Sequence, residues 1–422
     1  TMGIRSRVVA MGTLSATESA VLGQSGYPYA LASDEIEFNR NESPVLNLVA
    51  VNMEVAPAFN ILDQFVDAQL YLKNIAGIGE IPFLDAHWYQ GNRLGTFYCP
   101  ARYDGIECEG RDEIYILGLD SDSDAYDDVV LLHEYGHFVL DKFSRDDSPG
   151  GTHYVEDNNQ DLRLSWSEGF STAFAAMVRL YHGVENAEQF IDTDGNGEIL
   201  YSYYLELPLG GLNVFSPKTH ALGMANELAV SVVLYDIVDA AHSDESFDLI
   251  EENEMLWQSI LSMAKRESVN MQDFIELWQG SPLTPLLEDR KILVAADAYE
   301  INDDDIALQD AVAMPFEQQR SLHEREDQDW FKVSLLANQN YHIALGRFLS
   351  GADVKLAIYQ SDGLTPAFSL YAPDFIVAEN SPVYTKNIDF TPNSSGDYLV
   401  HIKRSDATPV YVRYGSYEIK AF

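Results

Sequence analysis

Two imidazoles and a carboxylate stand within five residues in His133-Glu134-Tyr135-Gly136-His137. Residues four apart share one face of an α-helix, so both rings can reach one ion. Imidazole nitrogen binds zinc at roughly 2.0–2.1 Å, and a catalytic zinc takes a third protein ligand and keeps one place open. Glu134, between the histidines, suits a general base that takes a proton from water and passes it to a leaving amine. The motif lies between Val129-Val130-Leu131-Leu132 and Phe138-Val139-Leu140, so its helix is apolar on nearly all sides and is expected to be buried. Two imidazoles and a carboxylate in such a helix are costly unless something compensates them, and a metal does so directly.

A third ligand must come from elsewhere in the chain. His-x-x-Gly-x-x-His continuations put Gly and His three and six places after the second histidine, but Leu140 and Phe143 stand there. The remaining choice is a downstream carboxylate on a second helix. Ser165-Trp166-Ser167-Glu168-Gly169-Phe170-Ser171 offers Glu168 in an apolar helix start. A lone glutamate there would more often cap a helix or face solvent; beside the upstream motif it reads as a ligand. Glu156, Asp157 and Asp161 are the alternatives.

These residues need elements to position them. Apolar residues recur at helical spacing from Ala56 to Ile75, from Val129 to Lys142 behind Asp127 or Asp128 as cap, and from Ser165 to Tyr181. Further helices are predicted over Met224–Ala241, Glu254–Ala264 and Met271–Trp278. Residues 1–50 read as short strands and loops, and Glu113-Ile114-Tyr115-Ile116-Leu117-Gly118 as a strand. After about residue 290 the helical spacing gives way to alternating segments around Trp330, Tyr341, Val354 and Tyr398, separated by turns such as Ser361-Asp362-Gly363. That texture predicts an antiparallel β-sandwich of about a hundred residues. The expected class is α+β: a mainly helical domain over 1–290, with N-terminal strands at 1–50 and a core at 51–290, then an all-β sandwich over 295–422. The boundary falls between Leu287 and Asp297.

His133-Glu134-Tyr135-Gly136-His137, followed by Trp166-Ser167-Glu168-Gly169-Phe170, resembles the gluzincin metallopeptidases, and within them the fungalysin-like and, more distantly, thermolysin-like enzymes. Asn226-Glu227-Leu228-Ala229-Val230 is similar to that group too. The resemblance spans about residues 50–285 and implies a zinc peptidase with His133, His137 and Glu168 as ligands and Glu134 as base. It also implies a Tyr or His that stabilises the oxyanion. Tyr154, His153 and His220 are the candidates, Tyr154 and His220 by their places along the chain relative to the metal motifs, with Tyr203 and Tyr204 behind them. An aspartate that orients one ligand histidine often stands four places after the third ligand. Thr172 is there instead, so the orienting group is expected elsewhere.

A second metal is suggested by Asp192-Thr193-Asp194-Gly195-Asn196-Gly197-Glu198, which matches the front of a calcium loop. Asp192, Asp194, Asn196 and Glu198 are the candidate calcium ligands. Tyr203 stands where the closing acid belongs, and Glu198 or Glu206 would substitute. The run Asp120–Asp128 is a further acidic candidate.

Twenty-six basic against 67 acidic residues leave a formal charge of −41. Such a polyanion repels nucleic acid and anionic lipid, which argues against both as partners. No run of eighteen apolar residues occurs, so no membrane span is expected. The start Thr1-Met2-Gly3 carries no charged-then-apolar leader and suggests a trimmed or engineered N-terminus, at which a removed export signal would leave no trace. Cys99 and Cys108, the two cysteines, fit a hairpin disulfide in an exported protein or two free thiols. Asp297-Ala298-Tyr299-Glu300-Ile301-Asn302-Asp303, Asp327-Gln328-Asp329-Trp330-Phe331 and Gly396-Asp397-Tyr398 resemble the bacterial pre-peptidase C-terminal domain, a β-sandwich appended to secreted peptidases. The expected function is a secreted zinc endopeptidase acting on protein or peptide substrates. The rivals are an extracellular binding or adhesion protein on a peptidase scaffold, touching glycans or surfaces through Trp330, Tyr359, Tyr371 and Tyr384, and an aminopeptidase.

Overall fold

The computed structural model describes residues 2–4, 7–14, 17–39, 41–43, 45, 47–50, 55–103, 108–205, 221–239, 252–292, 297, 299, 311–324, 326–349, 354–370, 386–405, 410 and 412–422. His220, Glu206, Tyr371, Tyr384, residues 240–241 of the predicted helix and most of 298–303 lie outside them. Among the described residues helices and sheets mix in an α+β arrangement. Contacts divide the chain into two compact units interleaved in sequence. One comprises Thr1–Asp146, Phe170–Ser216 and Leu234–Lys265; the other comprises Asp147–Gly169, Pro217–Val233 and Arg266–Phe422.

The first unit carries a five-stranded sheet in the order Met11–Leu14, Thr17–Leu22, Leu84–His87, Glu113–Tyr115, Phe97–Cys99. Its central pairs are parallel and its outer pairs antiparallel. Helix α1 (Ala56–Asn74) begins with a proline, whose fixed φ and missing N–H suit a first turn. Gln69 of α1 donates to Ser19 of the sheet at 3.0 Å. At the other end of the helix, Asn60 donates to Ala125 O and Asp128 Oδ1 at 3.1 and 2.9 Å. That pair fixes the start of α2 (Asp128–Phe143), the helix carrying the two histidines. Tyr71, Phe65, Tyr135, Phe138, Phe174 and Trp257 pack ring against ring as the core between these helices. Cys99 and Cys108 are joined as a disulfide that ties off the edge strand Phe97–Cys99.

Helix α3 (Leu162–Tyr181) is continuous through the division between the units. It starts three residues before the predicted Ser165, because Asp161 caps it, accepting from Arg163 N at 2.9 Å. Helix α4 (Glu227–Asp236) is shorter than predicted at its front, where Asn226 accepts from Ala229 N at 2.7 Å and ends the preceding turn. Helices α5 (Asn253–Ser262) and α6 (Met271–Leu277) fall where predicted, α6 behind an Asn270–Asp273 capping box. A further helix, α7 (Thr284–Asp289), has no counterpart in the sequence reading.

The C-terminal part of the second unit is a β-sandwich of two four-stranded antiparallel sheets. One runs Phe316–Leu322, Gly415–Ala421, Tyr341–Leu349, Lys386–Phe390. The other runs Gln328–Leu335, Gly396–Arg404, Val354–Gln360, Pro366–Leu370. Alternate residues such as Phe331, Val333, Leu356, Ile358, Val400 and Ile402 point into a shared core. Trp330 and Tyr359 belong to the opposite set, and Trp330 stacks on His401 at 3.8 Å.

Candidate metal centre

Gly136 explains how the histidine helix meets α3. A Cβ at Gly136 would lie 2.7 Å from the backbone of Ser171, closer than real atoms approach. The missing side chain lets α2 and α3 cross at contact distance, so the residues flanking Ser171 reach the histidine face. Thr172 is the next residue, and its Oγ1 lies 3.0 Å from His133 Nδ1. Glu168 precedes Thr172 by one helical turn and shares its face. His133, His137 and Glu168 each offer a ligand atom, all within 4.8 Å of one another.

The two imidazoles face each other through Nε2, 3.2 Å apart, with rings at 80°. With Nδ1–H of His133 donating to Thr172, its Nε2 keeps the lone pair. Two ligands at zinc–nitrogen distance in tetrahedral geometry stand about 3.3 Å apart, so this spacing fits one ion between them. The donor set of two imidazoles and one carboxylate suits zinc as well. The sequence predicts the orienting group for a candidate ligand histidine somewhere other than residue 172. The structure differs: Thr172 itself meets His133, a hydroxyl in place of the expected carboxylate.

Glu134 is 9% exposed, and its Oε2 accepts from the backbone N–H of Tyr98 at 2.9 Å. Tyr98 lies in the edge strand Phe97–Cys99, and its hydroxyl bonds Asp112 and Asp141 at 2.9 and 3.0 Å. One residue thus fastens the strand to the histidine helix at both ends of its side. Nothing in the sequence flags Tyr98, because the group that matters is a main-chain donor.

On the second unit, His153 Nδ1 sits 2.8 Å from Glu227 Oε2, and its Nε2 is 3.7 Å from Glu168 Oε2. Of the oxyanion candidates, His153 is thereby brought beside the candidate ligand Glu168. Tyr154 is 59% exposed, with its carbonyl accepting from Gln160 Nε2 at 3.1 Å. Tyr203 is buried and stacks on Phe190 at 4.9 Å, the ring that meets His133 edge-on. Asp161 pairs with Arg163, and Asp157 accepts from Asn159 N, both outside the group that Glu168 joins.

The candidate calcium residues separate. Asp192 groups with Asp122 and Asp124, their ligand atoms within 4.8 Å of one another. Burial and its acidic neighbours push Asp124 up to about 7 and Asp192 up to about 6. Asp194 turns instead into its own loop, accepting from the N–H groups of Asn196 and Glu198 at 2.8 Å, which holds its carboxyl below the usual range. The reason is local: Asp192–Ile199 is the tip of a hairpin between Gln189–Thr193 and Ile199–Tyr204, and its Asp-Gly-Asn-Gly core is turn chemistry. A further group, Asp85, His87 and Glu113, is bridged by Arg111 and reads as an internal ion network.

No family model matches the chain, and no curated protein matches it. Among solved structures, the pre-peptidase C-terminal domain of collagenase from Bacillus anthracis is similar over 27% of this chain and 96% of its own, at 16% identity and a TM-score of 0.19. PliG, a periplasmic inhibitor of g-type lysozyme from Aeromonas hydrophila, is similar over 27% of this chain and 90% of its own, at 14% identity and a TM-score of 0.19.

Proposed function

We propose that the chain is an exported zinc endopeptidase. The observation that carries the reading is the convergence of His133, His137 and Glu168 beside a buried Glu134. Zinc held there would act as a Lewis acid and lower the pKa of water. Glu134, pinned by the Tyr98 N–H, takes the proton of the attacking water and returns it to the leaving amine. His153, held through Nδ1 by Glu227, would in its imidazolium form carry an Nε2–H beside Glu168 for the oxyanion that forms on the scissile carbonyl. Export is supported by the Cys99–Cys108 disulfide, which persists where thiols are oxidised. Calcium at Asp122, Asp124 and Asp192 belongs to the same proposal, since a divalent cation relieves three crowded carboxylates.

Glu134→Gln tests the reading. The variant is expected to keep stoichiometric zinc and to lose peptide cleavage by about 100-fold or more, the usual scale of a general base. Full retained cleavage, or loss of the metal together with activity, contradicts the role given to Glu134.

A further inference from the structure

The strand Gln189–Thr193 links the metal centre to a cavity of about 290 Å³. Phe190 meets His133 edge-on at 6.3 Å, and Thr193 reaches the cavity wall. Three residues of strand cover about 10 Å, which an extended peptide also spans in about three residues.

The cavity is lined by Trp88, Gln90, Asp120, Tyr126, Asp194 and Asn196, with glycines and small side chains between them. Among the described residues that line it there is no Lys, Arg or His. Trp88 is 3% exposed and Tyr126 52% exposed, so one ring is held within the protein and the other stands at solvent. The wall is built for close approach: the Gly195 N–H donates to Asp120 O at 3.1 Å, and a Cβ there would lie 2.7 Å from that oxygen. The turn's own N–H groups hold the Asp194 carboxyl below the usual range. Two carboxylates and the exposed Tyr126 ring lining one cavity suit an ammonium or guanidinium group, through direct attraction and through the aromatic ring. The formal charge of −41 steers cationic segments toward the molecule.

We propose that this cavity is a specificity subsite for a Lys or Arg side chain of the substrate, about three residues from the bond that is cut. The inference rests on the peptidase reading for the identity of the occupant, and its test reads binding rather than cleavage.

The full chain carrying Glu134→Gln, zinc-loaded, is titrated into fluorescent octapeptides in which one Arg is moved through the sequence. Each peptide is compared with its citrulline counterpart, which keeps the shape and removes the charge. At one place the Arg peptide is expected to bind about tenfold tighter than the citrulline peptide, and Asp120→Asn is expected to erase that difference. Tyr126→Leu, at an exposed position that leaves the fold intact, is expected to reduce it about threefold. Equal binding of Arg and citrulline peptides at every place, or a difference that survives both substitutions, overturns the proposal. Displacement of the Arg peptide by calcium chloride alone, lost in Asp120→Asn, assigns the cavity to an inorganic cation and overturns it too. The chain with Glu134 intact is assayed on casein alongside. Absent cleavage with Arg-dependent binding sinks the peptidase reading and leaves a cation subsite; cleavage without Arg dependence sinks the subsite alone.

Discussion

Thr172 would set the electronic character of a metal held by His133, which it meets at Nδ1. A carboxylate partner on the distal nitrogen makes an imidazole more basic, whereas a hydroxyl only orients it. Thr172→Val removes the 3.0 Å contact to His133 Nδ1 and is expected to weaken zinc binding about 10- to 100-fold in chelator competition, with the fold unchanged by circular dichroism. An unchanged affinity would show that Thr172 only fills space. Asp124 offers a separate test by titration. Its carboxyl is pushed up to about 7, so between about pH 4 and 7 the folded protein holds a proton that the unfolded chain has released. Stability therefore falls as pH rises through that window. In calcium-free buffer, Asp124→Asn is expected to melt above the parent chain at pH 8, with the gap narrowing steadily toward pH 4. A gap that is constant with pH would contradict the buried, protonated Asp124. The candidate ligands His133 and His137 were legible in the sequence because their spacing repeats a helical turn, and Glu168 was legible only beside that motif. Tyr98 was not, since its contribution is a backbone N–H, and the meeting of Asp192 with Asp122 and Asp124 joins loops about seventy residues apart.

At the scale of elements, the crossing of α2 and α3 decides whether a ligand set exists. Gly136 lies against Ser171, and Gly169 similarly lies against Glu227 O, where a Cβ would stand 2.6 Å away. Gly136→Ala is expected to cost about 1–3 kcal/mol by overpacking, read as a lower denaturation midpoint. It is also expected to weaken zinc binding, since the helices must part to admit the methyl group. Stability lost with zinc affinity intact would separate the crossing from the site. Helical periodicity made α1, α2, α5 and α6 readable within a few residues. The start of α3 was missed because Asp161, the capping residue, had been weighed as a ligand. The sandwich strands around Trp330, Tyr341, Val354 and Tyr398 alternate cleanly, whereas Phe316–Leu322 and Lys386–Phe390 are polar enough to pass for loop.

At the scale of the whole molecule, the formal charge of −41 is the dominant property. Self-repulsion among ionised carboxylates opposes the compact state, and salt screens it over about 10 Å at 0.1 M. The melting temperature is therefore expected to rise between about 0.01 and 0.5 M sodium chloride, measured by calorimetry at pH 8. A flat or falling curve would mean that local ion pairs such as those of Arg111 and Lys142 outweigh the global field. Composition made that charge plain, but not its concentration in the loops around Asp120–Asp128 and Asp192–Glu198, which only the fold brings together.

His133, His137 and Glu168 are proposed to hold one zinc ion. Anomalous X-ray scattering at the zinc edge, on crystals of protein purified without chelator, tests it most directly. The expected result is a single strong peak within coordination distance of all three side chains. Contradiction would come as no peak at that place, with the His133 and His137 nitrogens bonded to each other and Glu168 turned away.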